Sequence, residues 1–358
     1  MENVHLVKLW LRNKTRVTGL CAAVLCLTAW SQASSSIGGL SGAYLRPSVG
    51  AAAMGLGSAF SAMPEYLAPW WNPAVIAIRK GNMASGGVGS RSMGRTDGYA
   101  SMEFHIPPRA AMGLMVLYRG DPFLNNLYDE NEKPLDKGAF TSFTGKIALS
   151  YLVNRKLSAG LNIGLSYEKL PTSSNSDGSL AYSSSSGIGS FDLAVAYKYS
   201  EKLSLSLVAA NLGSSMKWDI NSDWSPVIED KPVPSFTFGS RYEGSLAKRP
   251  LIWTMDLKAY IIDGDWNKIP NPQMVVYSGW EWQRWDSFYI RGGLGDLDIN
   301  GTILRDAAEY FSDFPVRITA GFGLDLSRYK NGLRLNYGVS TDKLWAGIDQ
   351  QLDVTLSF

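Results

Sequence analysis

From about residue 80 to the C terminus, apolar and polar residues alternate with a period of two, the spacing of strands whose two faces meet different surroundings. In "WAGIDQQLDVTLSF", Ile348, Leu352, Val354, Leu356 and Phe358 share one face and Asp349, Gln351, Asp353, Thr355 and Ser357 the other. "FPVRITAGFGLDLS" sets Val316, Ile318, Ala320, Phe322, Leu324 and Leu326 against Arg317, Thr319, Gly321, Gly323 and Asp325. "LSAGLNIGLSYEKL" repeats the pattern, with Asn162, Ser166 and Glu168 among glycines on its second face. A dry sandwich core does not accept such a face, whereas a barrel lumen does.

Fourteen segments of this kind are predicted, near 82–91, 97–106, 109–119, 142–153, 156–169, 187–199, 202–214, 233–243, 250–262, 273–282, 285–295, 314–327, 330–340 and 345–358. Their even number and length predict an all-β fold, an antiparallel transmembrane β-barrel of about 14 strands. Connections after segments 3, 5, 7, 9 and 11 are long, as in "GDPFLNNLYDENEKPLDKGAFT", and those after the even segments are tight, as in "NRK" and "SEK". That parity predicts long loops on one rim and short turns on the other. Tyr151, Tyr167, Tyr197, Tyr199, Trp253, Tyr260, Trp280, Trp282, Trp285 and Trp345 fall at or near segment ends, where interfacial aromatic girdles are expected.

Residues 34–80 break the alternation. The small residues of "VGAAAMGLGSAFSAM" predict a short helix or close-packed plug, and Pro64, Pro69 and Pro73 are expected to stop regular structure. Pro73 pushes Asn72 out of the helical region, so Asn72-Pro73 is a preset turn. A segment this short lies near the lower limit for a core of its own and is expected inside the lumen, as a hatch preceding a barrel over 81–358. Trp70 and Trp71, just before the turn, either wedge the segment against the wall or touch an apolar ligand.

The first 33 residues read as a secretory signal peptide: Lys8, Arg12, Lys14 and Arg16, then the apolar "VTGLCAAVLCLTAW", then a small-x-small site at Ser31-Gln32-Ala33. Both cysteines, Cys21 and Cys26, lie in that apolar run, so the exported chain would have no thiol chemistry and no disulfide. Removing four basic residues and Glu2 takes the formal charge from +2 to 2 − 3 = −1, which gives no reason to expect a nucleic-acid partner.

Little in the remainder suggests an enzyme. The single histidine after residue 33, His105 in "MEFHIPP", sits at a segment end where a Ser-His-Asp triad is not expected. "GLGSAF" and "GGVG" lack the Lys-Ser/Thr of a phosphate loop. Asp296, Asp298 and Asn300, followed by Gly301, copy the first half of a calcium loop, although Ala307 stands where the bidentate glutamate belongs, with Asp306 and Glu309 offset from it. Calcium is therefore the one cofactor the sequence offers.

The stretch "AAAMGLGSAFSAMPEYLAPWWNPAVIA", with its aromatic-Asn-Pro-Ala turn, resembles the N-terminal signature of the FadL-like outer-membrane families, including the PorV/PorQ group of type IX secretion and a related treponemal group. "FYIRGGLGD", "VRITAGFGLDL" and the closing "GLRLNYGVSTDKLWAGIDQQLDVTLSF" resemble the last strands of that group. Glu65 followed by Tyr-Leu-Ala-Pro, and Val75 in place of a glycine, depart from the pattern. The resemblance implies a hatch-plugged barrel that passes a hydrophobic small molecule, with Trp70, Trp71, Asn72, Pro73 and Ala74 as candidate hatch and ligand contacts. A PorV-like, non-transporting secretion component, docking cargo or translocon subunits through loops 121–141 and 215–232, is the alternative, and a purely structural barrel the third reading. Val354, Leu356 and terminal Phe358 resemble the signal read by the barrel-assembly machinery, which implies the outer membrane and its lipid as surroundings.

Overall fold

The computed structural model describes residues 42–79, 81–121, 140–170, 173–174, 180–181, 183–220, 229–262, 272–299, 316–327, 332–342 and 347–358. The expected signal peptide lies outside the described residues, as does Trp345.

All fourteen predicted segments are strands. They are β1 (Met83–Ser90), β2 (Thr96–Ile106), β3 (Ala110–Asp121), β4 (Phe140–Leu152) and β5 (Leu157–Lys169). Next come β6 (Ser183–Lys198), β7 (Leu203–Ala210), β8 (Ser235–Leu246), β9 (Arg249–Tyr260) and β10 (Gln273–Trp285). The last are β11 (Phe288–Asp298), β12 (Arg317–Asp325), β13 (Leu333–Thr341) and β14 (Ile348–Ser357). Each pairs antiparallel with its sequence neighbour, and β14 pairs with β1, from Met83 opposite Ser357 to Ser90 opposite Gln350. The ring is a closed 14-stranded antiparallel barrel.

Its faces are inverted relative to a soluble protein. Val88, Val116, Ile147 and Leu165 point outward and are 65%, 60%, 56% and 64% exposed, whereas Glu103, Lys146, Asn162, Asp256, Arg291 and Asp353 point inward and are buried. An apolar belt of this extent exceeds what the surface of a water-soluble monomer carries, and hydrocarbon is the solvent in which it is stable. Tyr151, Tyr167, Tyr197, Tyr199, Trp253, Trp280 and Trp285 lie exposed on the outer face. Tyr260 corrects the expectation: it is 4% exposed and faces the lumen.

One place departs from a regular wall. Strand β7 pairs with β6 only over Leu193–Lys198; above that, Ser183–Ile188 of the same strand pairs instead with a short ribbon strand, Ser215–Ile220. The ladder of β6 therefore forks near Phe191.

The lumen is filled by residues 42–79. They form α1 (Ala51–Gly55), α2 (Ala68–Trp71) and α3 (Val75–Ile78), joined by turns. Pro69 occupies the first turn of α2, where its missing N–H costs nothing, so it helps to start a helix that it was expected to stop. Inward glycines of the wall make room for this segment. A methyl group at Gly160 would lie 2.5 Å from the Ala74 nitrogen, and one at Gly293 2.6 Å from the Gly57 nitrogen. The small residues of α1 and the glycines facing them thus belong to one packing solution, with backbone against backbone.

Candidate functional site

Three wall carboxylates hold the segment by its backbone. Asp353 accepts from the Ala51 N–H at the start of α1 (2.6 Å) and from the hydroxyls of Tyr66 (2.7 Å) and Tyr99 (2.9 Å). Asp256 accepts from Phe60 N–H, Ser61 N–H and the Ser61 hydroxyl at 2.8–3.0 Å. Glu103 accepts from Ala68 N–H at the start of α2 (3.0 Å) and from Arg79 (2.7 Å). Each satisfies N–H groups that a short helix or turn leaves orphaned, which is why acidic residues are tolerated on these inner faces. Burial and the neighbouring Asp353 carboxylate push the Tyr66 hydroxyl well above its ordinary pKa, so it remains a proton donor.

Near the start of the segment, Arg119 donates to the carbonyls of Tyr44 and Pro47, and Arg91, braced by Asp97 and Asp349, donates to that of Ser48. The clasp extends along most of the described segment.

The Asn-Pro turn is part of this clasp. Asn72 is fully buried, its amide donates to Ser61 O (2.7 Å), and its side-chain oxygen accepts from Ala74 N–H (2.9 Å). Its extended backbone (φ −163°, ψ 103°) is what the following proline demands. Ala74 O in turn accepts from Ser150 (3.1 Å) and Ser158 (2.7 Å) of the wall. Asn72, Pro73 and Ala74 therefore anchor the segment.

Trp70 and Trp71 are different. Both line a lumenal cavity of about 100 Å³, together with Ser190 and Asp192 of β6, Ser235 and Thr237 of β8, Lys258 and Tyr260 of β9, and Arg46. The cavity lies beside the fork in the β6 ladder, where Asn211 also borders it. Trp71 is fixed by its indole N–H on Val49 O (3.0 Å) and by Phe60, 5.8 Å between ring centres. Trp70 lies under the ammonium of Lys146 (4.8 Å) and the guanidinium of Arg119 (5.7 Å). The candidate ligand contacts divide accordingly, with the two tryptophans on the cavity and the turn against the wall.

The cavity is amphipathic. Asp192 is matched by Lys146 (3.1 Å) and by Asn211 N–H (2.9 Å), and Asp256 by its three donors. Lys258 and Arg46 both rest on the ring of Tyr260, at 4.8 and 6.0 Å. These inward cations escaped the sequence reading. The period-two alternation that puts Asp256 inside also puts Lys258 and Tyr260 there, and it was the available signal.

The calcium-like residues are engaged within the protein. Asp296 and Asp298 are at the end of β11, where Asp296 pairs with Arg317 (2.5 Å) and Asp298 accepts from Gln273 (2.9 Å); Asn300 lies outside the described residues. No group of three or more acidic, His or Cys side chains suited to a metal occurs among the described residues. His105 is the penultimate residue of β2, and Nδ1 of its imidazole is buried without a hydrogen-bond partner among the described residues. Val354 of β14 and Phe358, just past its end, are exposed, and the Phe358 backbone pairs with Asn82 beside β1.

No protein-family model matches the chain, and no curated protein matches it in sequence. Solved structures do match in fold. The Ralstonia pickettii toluene transporter TbuX aligns with a TM-score of 0.55 at 11% identity, over 87% of this chain and 98% of that one. The Pseudomonas putida toluene transporter TodX aligns with 0.55 at 13%, over 86% and 97%. A Pseudomonas aeruginosa FadL homologue aligns with 0.54 at 12%, over 87% and 99%. The fold is that of the FadL-like outer-membrane barrels. The likeness spans nearly the full length of each of these three structures.

Proposed function

We propose that this protein is an outer-membrane channel that binds a small, largely hydrophobic molecule and passes it through a barrel plugged by an N-terminal hatch. The observation that carries this reading is the cavity between Trp70 and Trp71 of the segment and the inner wall of β6, β8 and β9. Structures of the same fold include toluene transporters, and the apolar outer belt suits an outer-membrane location.

The reading is tested with protein extracted in mild detergent. Trp70→Ala is expected to weaken binding of a monoaromatic probe such as toluene at least tenfold, and unchanged binding would count against the site. Trp70 is chosen because Trp71 also supports Val49 and Phe60.

A second reading is favoured by the density of the clasp on the segment: a closed, PorV-like barrel that docks secreted cargo or translocon subunits through its long loops. It predicts that native mass spectrometry finds a stable complex with secretion proteins around an empty barrel. The channel reading predicts a monomer carrying a small adduct.

A further inference from the structure

The outer face carries charge where its apolar belt meets the short-turn rim. Strands β8 and β9 are joined only by Ala247 and Lys248, both in the left-handed region (φ 51° and 63°), and β10 and β11 only by Asp286 and Ser287. Leu251 of β9 lies opposite Trp282 of β10, so the two turns stand on adjoining strand ends. The Trp282 indole N–H donates to Leu246 O (3.2 Å) and ties the ends together.

Arg284 is two positions beyond Trp282 on the same outward face, and a register shift between Gln283 and Trp285 re-aims Trp285 toward it. The Arg284 guanidinium rests on the rings of Trp282 (5.4 Å) and Trp285 (4.9 Å), and the aromatic strip continues from Trp285 to Phe288 and Phe322. Leu246, Lys248, Arg284 and Trp285 are all exposed. The acid that these turns contribute, Asp286, is paired with Arg249 (2.6 Å). Lys248 and Arg284 have no carboxylate within ion-pair distance among the described residues. A ring contact uses the face of a guanidinium and leaves its N–H edge for an anion.

We propose that this patch binds an anionic phospholipid of the leaflet at the short-turn rim, its phosphate at Arg284 and Lys248 and its acyl chains along Leu246, Trp282 and Trp285. The proposal rests on the outer-membrane reading of the belt and not on the lumenal cavity, so its failure leaves the channel reading untouched. Indoles settle at the level of lipid headgroups, with the ring apolar and the N–H wet, and cations beside them meet phosphates there. Two unmatched cations also discriminate among headgroups. Phosphatidylcholine carries a cation of its own for each phosphate and offsets neither side chain, whereas phosphatidylglycerol brings negative charge alone. The planar fork of Arg284, already held by two rings, suits a pair of phosphate oxygens.

Native mass spectrometry of the full-length protein in a non-ionic detergent, with phosphatidylglycerol or phosphatidylcholine added, reads the preference. The wild type is expected to retain about tenfold more phosphatidylglycerol, the order that two cations give beside an anionic headgroup. Arg284→Gln combined with Lys248→Gln should bring the two lipids within about twofold of each other, and Arg284→Lys should keep most of the preference. Arg155→Gln combined with Lys202→Gln, on other short turns, should leave it unchanged. All of these side chains are exposed, so none of the changes disturbs the packing of the wall. Equal retention of the two lipids by the wild type overturns the proposal. An equal loss in the two paired variants overturns it as well, since that would mean a diffusely basic rim without a site. Displacement of the lipid by inorganic phosphate would reduce the patch to a bare anion contact and likewise overturn the lipid assignment.

Discussion

The carboxylate of Asp353 on the last strand and the hydroxyl of Tyr66 in the lumenal segment meet at 2.7 Å, although 287 residues separate them. The same carboxylate takes Ala51 N–H, Tyr99 OH and the Asn336 amide. One side chain thereby joins the first lumenal helix, the second strand and the last two strands. Asp353→Ala would strand four buried donors at once. Each unsatisfied buried donor costs roughly 1–3 kcal/mol, and relaxation absorbs part of the sum, so a loss of about 3–5 kcal/mol is expected. Asp353→Asn retains one acceptor oxygen and should lose about half as much. Thermal unfolding followed by circular dichroism checks the order wild type, Asn, Ala; equal melting of all three would remove Asp353 from the account.

The glycine sockets make a paired prediction. Gly160 faces the segment, and a methyl there would press on the backbone of Pro73 and Ala74 at 2.5–2.6 Å. Gly145 faces outward, with nothing nearer than 4.0 Å to an added methyl. Gly160→Ala should therefore loosen the Asn72 turn and expose residues 60–79 to limited proteolysis, and Gly145→Ala should not. Because both changes add the same atom to a strand, a difference between them reports the segment and not strand propensity. Matching digestion patterns would mean that the wall yields where the contact distances say it cannot.

How much of this was legible in the sequence follows from which distances the sequence encodes. The alternation at Asp349, Gln351, Asp353 and Thr355 fixed which side chains point inward, because a strand's period depends only on local geometry. It also assigned Tyr260 to the lumen, but proximity to a strand end was read in its place and suggested a girdle. The break at Asn72-Pro73 was visible because proline constrains its neighbour wherever it occurs. That Asn72 holds Ser61 and that Asp256 holds Phe60 was not visible. Those contacts join residues 11 and 196 positions apart, and nothing local names the partner. Inward acids announced only that they needed donors.

The outer face gives a test of the surroundings. Ile163 lies midway along β5, points outward and is 45% exposed. Arginine at the bilayer midplane of a barrel costs about 2–4 kcal/mol, falling toward zero at the interface. Ile163→Arg is expected to lower the free energy of folding into phosphatidylcholine vesicles by about that amount, and Ile163→Leu to leave it nearly unchanged. A tolerated arginine would place this face in water.

The clasp bears on the path a solute would take under the channel reading. Ser61 of the segment and Ser206 of β7 have their hydroxyl oxygens 2.9 Å apart, and residues 34–358 contain no cysteine, so in a chain made without residues 1–33 a cysteine pair introduced there reacts without competition. The two side chains meet at their ends, and a disulfide between them asks for Cβ atoms roughly 3.5–4.5 Å apart. Oxidation of the Ser61→Cys, Ser206→Cys protein is expected to go to completion and to raise the melting temperature, since it ties the segment to the wall where Asp256 already holds it. If solute moves alongside the segment through the cavity at Trp70 and Trp71, uptake into proteoliposomes should be the same before and after oxidation. If the segment must leave the lumen for each passage, the cross-link should stop uptake and reduction should restore it. The many contacts between segment and wall favour the first result, because displacing the segment would expose Asp353, Asp256 and Glu103 without their donors in a single step.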